Sequence, residues 1–131
     1  KDAMARAVRV RRRFGGAMRQ GGILAAAGLY ALDNNVMRLP EDHVHARLIA
    51  ERIAGCKTVR LDLQTVQSNI VIFHMKDGAP DAAAIASRAK AEGVLLSVFA
   101  ARTLRAVTHL DVSRADCERA AAILARVLEL P

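Results

Sequence analysis

Arginine is the residue type through which this sequence has most chemistry to offer. Lys1, Arg6, Arg9, Arg11, Arg12, Arg13 and Arg19 crowd the first 19 residues against a single acid, Asp2, and carry most of the net charge of +7. A cationic stretch of that density suits a polyanion such as nucleic acid, or the lining of an anion site. Against nucleic acid stand the scarcity of stacking rings, one Tyr, three Phe and no Trp, and the lack of a reading motif. Arg105 stands apart from this cluster, in a run of strand type, Leu104 to Leu110. Gly15-Gly16 suits a tight backbone turn, and as a phosphate cradle it is weak by itself. His43 and His45 are two apart, so a helix does not put them on one face, and no metal pair is expected. Ser97, His109 and Asp111 are the residue types of a hydrolase triad, but no G-x-S-x-G elbow accompanies them, and His109 reads as a polar residue ending a strand. Cys56 and Cys117 lie far apart with no C-x-x-C pairing, which fits a reducing cytoplasm rather than a disulfide or zinc framework.

The elements that must position these groups follow from periodicity. Ala3, Ala7, Val10 and Phe14 form one helical stripe with Arg6, Arg9 and Arg13 on another side, and Gly15-Gly16 stops the helix. From about Met18 to Leu39 nearly every face is apolar, which predicts a helix buried all round. Pro40 opens a third helix, with Glu41 and Asp42 at its positive end and Gly55 closing it. Val59, Leu61 and Leu63 alternate with polar residues as a half-buried strand, and Ile70 to Phe73 is a continuous apolar run, read as a more deeply buried strand. A helix runs from Pro80 to Gly93, and Val94–Phe99 and Leu104–Leu110 are two more strands. The last helix starts with a capping box, Ser113 and Asp116, flanked by Val112 and Cys117 as a hydrophobic staple.

The order is three helices and then β-β-α-β-β-α, with the boundary set near Gly55: a helical segment over 1–55 and a small α+β domain over 56–131. The composition, 53% hydrophobic and 25% charged, is that of an ordinary globular chain. The longest apolar stretch, Ile23 to Leu32, is too short to cross a bilayer, and the basic start is not followed by a signal-peptide core. Lys1 in place of an initiating methionine reads as a cut edge, and so much apolar helix without a partner points the same way.

Two longer stretches go further. Arg13-Phe14-Gly15-Gly16-Ala17-Met18-Arg19-Gln20, with Ile23-Leu24-Ala25-Ala26-Ala27 after it, resembles the segment G-G-x-M-R-Q-x-G-I-L-A-A-A of the low-specificity L-threonine aldolases. Arg105-Ala106-Val107-Thr108-His109-Leu110-Asp111-Val112-Ser113-Arg114 resembles that family's R-x-V-T-H-x-D-V-S-R. Glu41-Asp42-His43 and Gln67-Ser68-Asn69-Ile70-Val71 fall between them in the same order, so the resemblance runs over essentially the whole chain.

The resemblance implies the α/β C-terminal small domain of a fold-type I enzyme that uses pyridoxal 5'-phosphate (PLP) as cofactor. It implies a dimer or tetramer that cleaves L-threonine or L-allo-threonine to glycine and acetaldehyde by retro-aldol chemistry, and the cysteine pattern puts it in the cytoplasm. It places Arg105 at the substrate carboxylate, where a planar guanidinium can bind both oxygens. It places Arg12 and Arg19 near the cofactor, Arg12 where the family carries a lysine. The family's cofactor lysine sits in a Ser-Lys-Gly context just before G-G-x-M-R-Q. Lys1, Lys57, Lys76 and Lys90 have no such surroundings, so this chain alone is expected to be inactive. The alternatives are a related β-eliminating PLP lyase and a non-catalytic amino-acid-binding module.

Overall fold

The computed structural model describes residues 2–130. It divides into two compact units between Met37 and Arg38.

In the first unit, helix α1 spans Asp2–Arg13, with its acid in the first turn and Arg11, Arg12 and Arg13 in the last, the order that suits the helix dipole. It ends in a Schellman turn. Gly15 takes φ 75°, its N–H donates to the Arg12 carbonyl at 3.2 Å, and the Gly16 N–H donates to that of Arg11 at 2.9 Å. A Cβ on Gly16 would lie 2.8 Å from Arg11 Cγ, so both glycines are needed for this geometry. Helix α2 spans Gly22–Asn34, followed by a 3₁₀ turn at Val36–Arg38. Here the expectation of a helix buried all round fails. Neither α1 nor α2 has a buried residue, and Ile23 is 81% exposed. An apolar sequence signals a wish for burial, and the described residues of this unit supply no layer to meet it.

The second unit is a four-stranded antiparallel sheet whose strands, β1 (Val59–Arg60), β2 (Ile70–Met75), β3 (Ser97–Ala100) and β4 (Thr103–Val107), lie in the order β1-β2-β4-β3, with its helices packed on one face. Helix α3 (Leu39–Ala54) begins with Pro40 in its first turn and ends at Gly55. It contributes Ala46, Ile49, Ala50 and Ile53 to the core, and it therefore belongs to this unit, although the sequence suggested a boundary near Gly55. Strand β1 is only Val59–Arg60, because Asp62 turns the chain by capping a 3₁₀ turn at Leu63–Thr65. Strand β2 (Ile70–Met75) pairs with β4 (Thr103–Val107), and β4 with β3 (Ser97–Ala100). Helix α4 (Ala82–Ala91) is capped by Asp81, whose side chain accepts from the Ala84 N–H at 2.8 Å. It ends at Gly93, which has φ 85°. The order of elements is the one predicted.

Strand β2 departs from expectation. Its apolar run is not deeply buried throughout: Val71, Phe73 and Met75 enter the core, while Ile70 and Ile72 stay 38% and 39% exposed on the other face. Period-2 geometry overrides composition here, because helices cover only one side of the sheet. Cys56 and Cys117 are buried free thiols, and burial pushes both pKa values up, which makes them unreactive packing residues.

Helix α5 (Arg114–Glu129) opens with the predicted capping box. The Ser113 hydroxyl accepts from the Asp116 N–H, and the Asp116 carboxylate accepts from the Ser113 N–H at 3.2 Å and from its hydroxyl at 2.6 Å. These bonds to Ser113 hold Asp116 below the usual carboxylate pKa, with Arg119 adding to the effect. A depressed carboxyl stabilises the fold above its unfolded pKa of about 3.9 and loses that contribution as pH falls through the folded value. Asp116→Asn should therefore lower the urea midpoint at neutral pH, and the difference from the parent should close in acid. Ser113→Ala should cost about 1 kcal/mol at neutral pH. Parallel pH profiles for the Asp116→Asn variant and the parent would contradict the assignment.

Candidate functional site

The helix-free face of the sheet gathers the polar groups that the fold leaves available. Along β4, Leu104 and Ala106 point into the core, so Thr103, Arg105 and Val107 take the open face. Arg105 lies on an interior strand, paired with Ile72 of β2 on one side and Ser97 of β3 on the other. Its Nη2 reaches the Ser97 hydroxyl at 3.5 Å, a long contact, and its Cζ lies 5.8 Å from the centre of the Phe99 ring. Its Nε is covered and has no hydrogen-bond partner. The two terminal nitrogens are thus the part of this guanidinium open to a bound anion. His74 occupies the same face, with Nδ1 3.0 Å from the Thr103 hydroxyl.

A network at the end of β4 fixes the strand. The Thr108 N–H donates to the Asn69 carbonyl at 3.0 Å, and the Asn69 side-chain amide returns a bond to the Thr108 carbonyl at 2.7 Å. The buried Thr108 hydroxyl donates to the backbone carbonyl of Asp42 at 2.7 Å. The Asp42 carboxylate accepts two bonds from Arg38, at 3.0 and 2.9 Å, and this pairing raises the Arg38 pKa further. The Asp42, Asn69 and Thr108 of three separate sequence motifs therefore meet at one place, three residues beyond Arg105. The side-chain bonds that join them were not foreseen, since spacing along a chain does not show which loops converge.

The other sequence candidates scatter. His43 is exposed and His45 buried on α3, so they do not converge. His109 Nδ1 is 3.4 Å from Asp111, but no hydrogen bond joins Ser97 to His109 among the described residues, so the three do not form a triad. Arg12, at the end of α1, and Arg19, in the turn before α2, are exposed, and neither side chain has a hydrogen bond or ion pair among the described residues.

A model of the beta-eliminating lyase family matches residues 1–76. The chain belongs to the beta-eliminating lyase family. Among curated relatives, it is 44% identical over 124 residues to the low-specificity L-threonine aldolase of Escherichia coli (strain K12), a match covering 93% of this chain and 34% of that protein. It is 34% identical over 108 residues to the low-specificity L-threonine aldolase 1 of Arabidopsis thaliana, covering 82% of this chain and 30% of that protein. The chain thus spans about a third of the length of these relatives. Among solved structures, MppP soaked with the product 2-ketoarginine superposes with a TM-score of 0.60 at 17% identity, over 76% of this chain and 30% of that one. At that identity the likeness speaks for the fold alone. It agrees with the expected α/β fold, helices with an antiparallel sheet. No helix in this member of the beta-eliminating lyase family is long and apolar enough to cross a membrane, among the described residues.

Proposed function

We propose that a protein containing this chain is a cytoplasmic, PLP-dependent aldehyde-lyase that cleaves L-threonine and L-allo-threonine to glycine and acetaldehyde. The observation that carries the reading is Arg105, an arginine on the open sheet face with an uncommitted terminal fork. It lies within a chain that is 44% identical to a threonine aldolase over 124 residues. The same reading makes the intact protein a homo-oligomer, dimer or tetramer.

The residues present fit the cofactor in charge. Arg12 and Arg19 are exposed cations whose donors nothing in the described chain engages, which suits a phosphate group. As arginines they would anchor charge rather than move protons. Neither Lys76 nor Lys90 fits the covalent role, and Lys1 lies outside the described residues. Lys76 Nζ donates to the Lys57 carbonyl at 2.9 Å, and Lys90 lies on α4, on the covered side of the sheet. This supports the expectation that the 131 residues alone are inactive.

PLP, when bound, supplies the electron sink for the pair released when the Cα–Cβ bond breaks. Arg105 contributes orientation: both carboxylate oxygens pair with the planar fork, and the amino acid loses its freedom to rotate. Ile72, the cross-strand neighbour of Arg105, and Phe99, whose ring centre is 5.8 Å from its Cζ, give it apolar neighbours, and a less aqueous surrounding strengthens an ion pair.

The test is to express the longer protein that contains this sequence, load it with PLP, and measure acetaldehyde and glycine from L-threonine. Cleavage that requires PLP supports the proposal. A PLP-loaded protein that leaves β-hydroxy amino acids intact but releases ammonia from β-substituted ones would make it a β-eliminating lyase, the second reading, which the description of the matching family favours.

A further inference from the structure

We infer that Phe99 is a positioning residue for Arg105: its ring is the platform on which the guanidinium lies, so that the terminal Nη fork meets a carboxylate end-on. The inference rests on the reading of Arg105 as the carboxylate-binding residue.

The backbone delivers the ring. The β3–β4 ladder steps from Val98↔Leu104 to Ala100↔Thr103, which leaves Phe99 as the extra residue of a bulge. A bulge re-aims the side chain of the residue it inserts. The Phe99 ring is 63% exposed, so it contributes little to the core, and its contact on the open face is the guanidinium 5.8 Å away. That distance lies within the roughly 6 Å over which a cation is attracted to a ring face.

The arrangement selects one binding mode. A carboxylate can meet arginine side-on, through Nε and one Nη, or end-on, through both Nη. The covered Nε removes the first. The 3.5 Å contact to Ser97 is too long to commit Nη2, so the second stays open. A flexible arginine loses side-chain entropy when it pairs with an anion, and one already resting on a ring loses less. The ring has no acceptor of its own to compete for the fork, and it displaces water from one side of the cation.

The test uses the longer protein that contains this chain, NMR of labelled arginine side chains, and acetate as the probe, with binding read at the Arg105 resonances and, for variants that lack Arg105, from broadening of the acetate methyl signal. Phe99→Ala should move the Arg105 δ-methylene protons downfield as the ring current is lost. It should weaken acetate binding roughly two- to fivefold, with the urea midpoint unchanged. Phe99→Leu keeps an apolar cover without a ring and should behave as Phe99→Ala, whereas Phe99→Trp should restore both signals. The inference is overturned by Arg105 δ-protons already at random-coil positions in the parent, or by a Phe99→Leu variant that binds acetate as the parent does. Arg105→Ala separates the two layers. If it abolishes binding while Phe99→Ala binds acetate as the parent does, only the platform is lost; if it binds like the parent, the carboxylate role of Arg105 falls as well.

Discussion

Replacing Arg105 with alanine in the longer, PLP-loaded protein is expected to lower kcat/KM for L-threonine at least thirtyfold. Removing one partner of a desolvated charge pair costs about 2–5 kcal/mol, and 1.4 kcal/mol is a factor of ten. Two contributions are lost together. The carboxylate loses a bidentate partner, and the substrate loses the contact that fixes its rotation, so the defect should appear in kcat as well as KM. Arg105→Lys separates them. It retains a charge but not the planar fork, and it should recover part of KM while leaving kcat low. The neighbouring Ser97, Ile72 and Phe99 add no second cation to compensate, and His74 is two positions along on β2 and engaged with Thr103. An Arg105→Ala enzyme with kcat/KM within a factor of three of the parent would show that the carboxylate is bound elsewhere.

Phe73→Ala is expected to destabilise the sheet unit by about 3–5 kcal/mol, measured as a shift of the urea midpoint. Phe73 is completely buried in the middle of β2, opposite Leu104, where the sheet meets its helical layer. The cost combines lost transfer energy with a cavity that backbone hydrogen bonding prevents from collapsing. Total stability of a domain this size is about 5–15 kcal/mol, so the variant should lie near the edge of folding. Because Leu104 adjoins Arg105 on β4, the same cavity should loosen the open face. A loss under 1 kcal/mol would mean that Phe73 does not pack as described.

Local signals were the most legible part of the sequence. The Ser113–Asp116 capping box and the glycine stops at Gly15 and Gly93 depend on bonds within a few residues, and spacing alone displays them. The order of elements followed for the same reason. Burial was less legible, because it depends on which layers are present. Ile70 and Ile72 look like core and instead line the open face, and the apolar α2 is exposed. At the candidate site, sequence similarity singled out Arg105, and the strand alternation then put it on the accessible face. Phe99 went unnoticed because its part depends on a bulge, and a bulge has no composition of its own. The Arg38–Asp42 pairing has i,i+4 spacing and could have been found; the Thr108–Asp42 bond spans 66 residues and could not.

The bonds gathered at Thr108 act on the reading frame of β4. A strand displays alternate residues on opposite faces, so sliding β4 by one position against β2 would exchange its two faces. Leu104 would then greet the anion, and Arg105 would be driven into the apolar layer. Hydrophobic contacts resist that slide only collectively. Thr108 resists it at a single point, because its amide, carbonyl and hydroxyl each have a partner at a fixed address on Asn69 or Asp42. The clamp is thus a punctuation mark: it states where the strand stops, and by counting back three residues it states which way the arginine faces.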